Sequence, residues 1–264
     1  MPQPKKVDAA RFERRPLQVK DVPLDRLVQL QTGAAETKTL TETLALNLAV
    51  TARACIPALS AQALAQLEDA QGLGITRRMA LAGQLCLDAL GPKGVVELSQ
   101  HPSDTVRGFA CFAIAQQSYH SVHPCLRALR PLADDPHFGV REWAWLALRP
   151  RVAVDIEGSI AALQSWTRDP SPRIRRFASE VSRPRGVWCT HIQRLKDDPS
   201  LGLPVIEPLR GDDERYVQDS VANWLNDASK TQPLWVQNLI QQWQSDSRVR
   251  AAPRILKRAV RSLA

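Results

Sequence analysis

Glu142, Glu180 and Asp227 are the residues of this 264-residue sequence whose types and settings most suggest chemistry. Glu142 precedes Leu146 and Arg149 on one helical stripe and is flanked by Trp145; Glu180 stands between Arg176 and Arg183; Asp227 follows Asp219, Asn223 and Asn226, with Lys230 one turn beyond. A carboxylate in such a setting can stabilise a developing positive charge or position a water, and a guanidinium pairs with anions. For any single charge the plainer reading is a solvated helix face of i, i+4 pairs. The joint pattern argues for more. Asn and Asp are poor helix formers, so Asn223-Trp224-Leu225-Asn226-Asp227 gives up local helical stability for polar groups that Glu, Lys or Gln would replace on an ordinary solvent face.

The elements that must position these residues are copies of one plan. His101-Pro102 leads into Val106-Arg107, Asp135-Pro136 into Val140-Arg141, Asp169-Pro170 into Ile174-Arg175, and Asp212-Asp213 into Val217-Gln218, the β-branched anchors lying 34, 34 and 43 residues apart. Ser247-Arg248-Val249-Arg250 is a weaker later copy, and the region from Gly74 to Leu90 a degenerate earlier one. Asp can cap free helix amides and Pro tolerates the first turn, so Asp-Pro is expected to mark a helix start. Val140, Ala144 and Ala147, then Ile174, Ala178 and Val181, then Val217, Val221 and Trp224 fall on one face of each helix, at +0, +4 and +7. Leu126, Leu129 and Leu132, then Ile160, Leu163 and Trp166, supply the partner helices. The expected fold is all-α, a HEAT-like helical-repeat solenoid of stacked antiparallel helix pairs, forming a right-handed superhelix with a concave basic face. Residues 1–36 read as a basic N-terminal arm and 37–264 as the HEAT-like repeat domain, with helices beginning near Lys38. Positions +2, +6 and +9 to +10 should then project from another side, which is where the carboxylates lie.

Composition narrows the partner. A net charge of +8 and a pI near 9.6 favour a polyanion, with nucleic acid first. The five cysteines (55, 86, 111, 125 and 189) are odd in number and form no C-x-x-C pair, which fits reduced thiols in a cytosolic protein. No apolar stretch follows Lys5, Lys6, Arg11, Arg14 and Arg15, so a secretory signal is not supported. The apolar region from Leu44 to Leu67 is broken by Arg53 and Pro57 and is too polar to span a bilayer. Cys111, His120, His123 and Cys125 form a string that fits no common zinc module, and Cys111 lies in an apolar run, so no metal or cofactor is expected. Trp143, Trp166 and Trp224 sit at or beside apolar positions and read as core, whereas Trp145 and Trp188 do not fit the packing stripe.

Two long segments carry a resemblance. Arg176-Phe-Ala-Ser-Glu180-Val-Ser-Arg183-Pro-Arg185-Gly-Val-Trp188 resembles the R-x-A-S-E-G-T-R-P-R-x-x-W segment of the AlkC-type DNA glycosylases. Ser220-Val-Ala-Asn-Trp-Leu-Asn-Asp227-Ala-Ser-Lys230 is similar to their S-V-A-N-x-L-N-D-I-S-K segment, and Arg141-Glu142-Trp143-Ala144 to their S-E-F-A. The resemblance runs from about His101 to Lys230 and more weakly beyond. It implies a HEAT-like alkylation-repair enzyme, related also to the AlkD type, whose cleft would hold Glu142, Arg176, Glu180, Trp188 and Asp227. Leu146-Ala147, Gly186-Val187 and Gln218-Asp219 depart from Arg-Pro, Leu-Pro and a basic pair in relatives. The sequence extends little past its last repeat, so DNA is expected to be held without the immunoglobulin-like domain appended in some AlkC members.

The implied activity is that of a base-excision-repair glycosylase releasing cationic N-alkylated bases, such as 3-methyladenine and 7-methylguanine, from double-stranded DNA. A monomer in the bacterial cytosol, associated with the nucleoid and not with membrane, is expected. An alkylated purine already carries positive charge, so its glycosidic bond breaks with little leaving-group protonation, through an oxocarbenium-like sugar that a carboxylate stabilises. Glu142 and Asp227 would serve that cation and its water, with Glu180 a supporting strut; Trp188 would offer a π-face to base or sugar, worth roughly 0.5 to 2 kcal/mol. Arg176, Arg183, Arg185 and Lys230 would meet phosphates, beside DNA contacts from Trp145 and Asn223. The rival readings are a HEAT-like protein that grips damaged or branched DNA without cutting a bond, and a scaffold for a protein partner. Carboxylates in a basic groove weigh against the first, since each repels phosphate. The basic run Arg248, Arg250, Arg254, Lys257, Arg258 and Arg261 weighs against the second.

Overall fold

The computed structural model describes residues 18–247 and 250–263. Its helices are α1 (Leu24–Gln31), α2 (Leu40–Ala45), α3 (Leu48–Cys55), α4 (Ala61–Asp69), α5 (Ile75–Leu98), α6 (Asp104–Gln116), α7 (Val122–Ala133) and α8 (Phe138–Val154), then α9 (Ile156–Leu163), α10 (Pro172–Val181), α11 (Gln193–Asp197), α12 (Leu203–Ile206), α13 (Arg215–Ser229), α14 (Pro233–Ser245) and α15 (Pro253–Ala259). No β-strand occurs among the described residues. Helices α5, α6, α8, α10, α13 and α15 pack each on the next as one layer, and α4, α7, α9, α12 and α14 back them. The anchors Val106, Val140, Ile174 and Val217 are all fully buried, as are Leu129 and Leu163 in the backing layer. Stacking of this kind leaves each repeat to bury its apolar stripe on its neighbours, and the result is a helical-repeat solenoid.

The β-branched anchor in each repeat is followed by a residue that locks the repeat. Arg107 donates Nη1 to the carbonyls of His101 (2.8 Å) and Pro102 (3.0 Å), Arg141 to those of Asp135 (2.7 Å) and Pro136 (2.8 Å), and Arg175 to those of Asp169 (2.9 Å) and Pro170 (3.0 Å). Gln218 repeats half of this with the carbonyl of Asp212 at 2.7 Å. The other arm of the fork reaches the next copy: Arg107 pairs with Asp135 at 2.9 Å and Arg175 with Asp212 at 2.6 Å. Charge-assisted bonds to carbonyls and carboxylates are about twice as strong as neutral ones, so these arginines fix the spacing of successive repeats.

Two expectations are corrected. The Asp of Asp-Pro does not cap the helix. Asp135, Asp169 and Asp212 each accept the N–H two residues on, from His137 (2.7 Å), Ser171 (2.9 Å) and Glu214 (2.9 Å), and it is those later residues that precede the helices. An Asx turn is what a short carboxylate beside its own backbone favours. The helical array also begins before Lys38: α1 lies inside the 1–36 segment, Leu30 is buried, and Glu36 pairs with Arg107 at 2.5 Å. The part of that segment before Gln18 lies outside the described residues, as do Arg248 and Val249 of the last repeat copy.

Candidate functional site: an acid and arginine network across three helices

The three carboxylates come from α8, α10 and α13, which are neighbours in one layer, and arginines link them into a chain. Glu142 meets Arg176 at 2.6 Å through Oε1, while Trp145 Nε1 donates to its Oε2 at 2.8 Å. Arg176 also faces Glu180 at 3.6 Å and lies over the Tyr216 ring, 4.6 Å from its centroid. Glu180 accepts from Arg183 at 2.6 Å and from the Ser220 hydroxyl at 2.7 Å. Arg183 reaches on to Asp227 at 2.8 Å, and Lys230 stands 3.6 Å from the other Asp227 oxygen. Carboxylate and cation thus alternate from Trp145 to Lys230.

Burial separates the roles. The Glu142 side chain is 35% exposed, whereas those of Glu180 and Asp227 are 4% and 5% exposed. Burial alone would raise the Glu180 carboxyl, but Arg176, Arg183 and the Ser220 hydroxyl together hold it below its ordinary value. Asp227 goes the other way: burial outweighs Arg183 and Lys230 and raises it. Burial lowers Arg176, yet Glu180, Glu142 and Tyr216 leave its guanidinium raised, so it stays a cation. Glu142 is therefore the carboxylate open to a ligand, held at both oxygens by groups that fix its direction.

Several residues lie elsewhere than the sequence suggests. Trp145 is only 5% exposed and sits in the core, so it holds Glu142 and is not a surface for DNA. Leu146, Arg149 and Asn226 are buried, against the expectation of a projecting face. Arg149 donates to the carbonyls of Thr190 (3.1 Å), Val181 (3.1 Å) and Arg183 (2.7 Å), tethering the loop after α10 to α8. Asn223 accepts from Arg261 at 2.8 Å, and Asp227 is oriented by Arg183 instead. Arg176 and Arg183 are each paired with two carboxylates, so a phosphate would have to compete for them. Arg185 is half-buried, with its Nε unpartnered. Trp143, Trp166 and Trp224 are buried, and the thiol of the fully buried Cys111 faces the Val140 carbonyl at 3.7 Å.

Trp188 sits in that tethered loop with φ 61°, a backbone conformation that costs an ordinary side chain about 1 to 3 kcal/mol. Its carbonyl accepts from Thr76 of α5 at 3.0 Å, and its indole is 45% exposed. It lines a groove of about 400 Å³ with Arg77, Phe112, Leu146, Arg149 and Arg151. Leu146 and Arg149 follow Glu142 by one and two turns on α8, so groove and carboxylate share a helix face. Gly186 belongs to the same loop by necessity, since a Cβ there would come within 2.1 Å of Cys189 Sγ.

Tyr216 is the residue that sequence reasoning misses. Arg141 donates to its hydroxyl at 3.2 Å and stacks 5.3 Å from its centroid on one side, with Arg176 on its ring as well. No sequence signal marks it, because Asp169 follows Arg141 by the same 28 residues that separate Asp135 from Arg107, and only the structure shows Asp169 paired with Arg130 at 2.5 Å instead.

Parts of this sequence and its fold are shared with known proteins. Residues 92–182 match the family model for HEAT repeats, and residues 143–263 match that of DNA alkylation repair enzyme. Together the two matches span residues 92–263, and over them the chain is similar to HEAT-repeat and DNA alkylation repair proteins. Among solved structures it is similar to the Pseudomonas fluorescens alkylpurine DNA glycosylase AlkC bound to DNA containing an abasic-site analogue, at 24% identity and a TM-score of 0.66, covering 94% of this chain and 65% of that one. It is also 46% identical over 97 residues to the uncharacterized protein YhaZ of Bacillus subtilis (strain 168), a match that spans 37% of this chain and 27% of the Bacillus protein.

Proposed function

We propose that this protein is a DNA glycosylase of base-excision repair that releases cationic N-alkylated bases from duplex DNA. The observation that carries the reading is Glu142, the most exposed of three carboxylates in a network otherwise closed by arginines, one turn before Leu146 of the Trp188 groove on the same face of α8. A fixed, accessible carboxylate on that face stabilises an oxocarbenium-like sugar as the charged base departs. Asp227, poised behind Arg183, is suited to hold or accept the proton of the attacking water. Glu180 is the strut that keeps Arg176 and Arg183 in place. Trp188 presents its indole to the cationic base or the sugar. Duplex DNA would lie along the layer that carries α8, α10 and α13, taken as the concave side of the solenoid, in a protein acting as a monomer in the cytosol.

The test is incubation of the protein with methylated duplex DNA, followed by detection of free 3-methyladenine and 7-methylguanine. One observation favours a second reading: every carboxylate of the network already has a cationic partner, as a purely structural network would. A protein that binds alkylated or abasic duplex DNA but releases no base is the non-catalytic binder of that reading.

A further inference from the structure

The α13 stripe that carries Asp227 continues toward the N-terminal end of its helix, and most of its cations come from α15 and the residues just after it. Asp219, two turns before Asp227, accepts from Arg254 of α15 at 2.7 and 3.0 Å, with Arg258 at 3.2 Å and Arg215 at 3.9 Å. One turn nearer Asp227, Asn223 accepts from Arg261 at 2.8 Å. Four guanidiniums therefore gather on one carboxylate and one amide, leaving three positive charges in excess. They are accessible: the side chains of Arg215, Arg254 and Arg258 are 77%, 31% and 40% exposed, and Arg261 is exposed. They also crowd one another. After burial, the neighbouring Arg258 cation is the next influence lowering the Arg261 guanidinium, and Asp227 and Arg183 act on the same group, which ties the cluster to the site network.

From this geometry we infer that Arg215, Arg254, Arg258 and Arg261 form a cradle for the phosphates of one DNA strand, templated by Asp219 and set to one side of the carboxylate site. This rests on the reading of DNA as the partner. At 1.5 Å of rise per residue, Asp219 and Asp227 are about 12 Å apart along α13, so the cradle would meet phosphates to one side of the carboxylate network and not within it. Arginine forks suit phosphate oxygens, and Asp219 holds two of them in place before DNA arrives, which lowers the ordering cost of binding.

Anisotropy with a labelled duplex carrying one abasic-site analogue, read across a salt series, tests the cradle. Arg254→Ala/Arg258→Ala should bind at least tenfold more weakly at low salt, with a slope of log Kd against log salt shallower by about two, one unit per lost phosphate contact. Arg215→Ala, too exposed to disturb folding, should lower the slope by about one, and Arg254→Lys/Arg258→Lys, which keeps both charges, should restore the parental slope. Equal slopes in the parent, the double alanine variant and Arg215→Ala overturn the cradle, even in a protein that excises methylated bases. Flattened slopes in a protein that excises none uphold the cradle and remove only the glycosylase reading.

Discussion

Glu180 and Asp227 share Arg183, yet their environments push them in opposite directions, and this gives a test of which one holds the fold. Glu180 is depressed, so its stabilising contribution is present above the ordinary glutamate value and is lost as pH falls through the lower folded value. Asp227 is raised, so its ionisation costs stability above the ordinary aspartate value, and that cost disappears as pH falls through the higher folded value. At pH 7, Glu180→Gln strips the buried Arg176 and Arg183 of their shared anion and should cost about 3 kcal/mol. Asp227→Asn should cost clearly less, and the difference should narrow toward pH 4. Urea midpoints at the two pH values decide it, and equal losses at pH 7 would contradict the assignment of Glu180 as the strut. The alternation of acids and bases was legible in the sequence, as was the placing of Glu180 between two arginines. Which carboxylate would be exposed was not legible, because Glu180 is held by Ser220 and Arg183 across the α10–α13 contact and Asp227 by Arg183, contacts that spacing along one helix does not encode.

At the scale of elements, the sequence reading was sound where a stripe packs within its own layer and failed where a loop folds back on it. The +0, +4 and +7 positions of α8, α10 and α13 are buried as their spacing indicates. Leu146 and Arg149 are buried for a different reason, because the loop carrying Gly186 and Trp188 returns over α8, and no periodicity encodes that contact. Arg149 is the tether. Arg149→Met keeps most of the stem's volume but leaves the Val181, Arg183 and Thr190 carbonyls without their donor, each such loss costing about 1 to 3 kcal/mol. The variant should keep its helical content while trypsin cuts after Arg185 at least tenfold faster, since cleavage follows local opening. Unchanged proteolysis would show that the loop holds itself.

Taken whole, the molecule is a stack of helix pairs held in register by the Arg107, Arg141 and Arg175 forks, with a surplus of eight positive charges. The period and the anchors were legible because each repeat can bury its stripe only against its neighbours. The function of the arginine after each anchor was not, since it depends on carbonyls folded back from the preceding turn. The charge surplus predicts binding to undamaged duplex that falls by about two orders of magnitude or more between low and physiological salt. Filter binding at a series of salt concentrations checks this, and salt-independent affinity would point to a protein partner. The most direct test of the account is single-turnover excision of methylated bases by the parent and by Glu142→Gln and Asp227→Asn, with DNA affinity measured on the same preparations. Each variant should excise about a hundredfold more slowly or worse while binding DNA as tightly as the parent or more so, because a negative charge that offsets the site's cations is gone. Excision at the parental rate by both variants, or none by the parent, would contradict it.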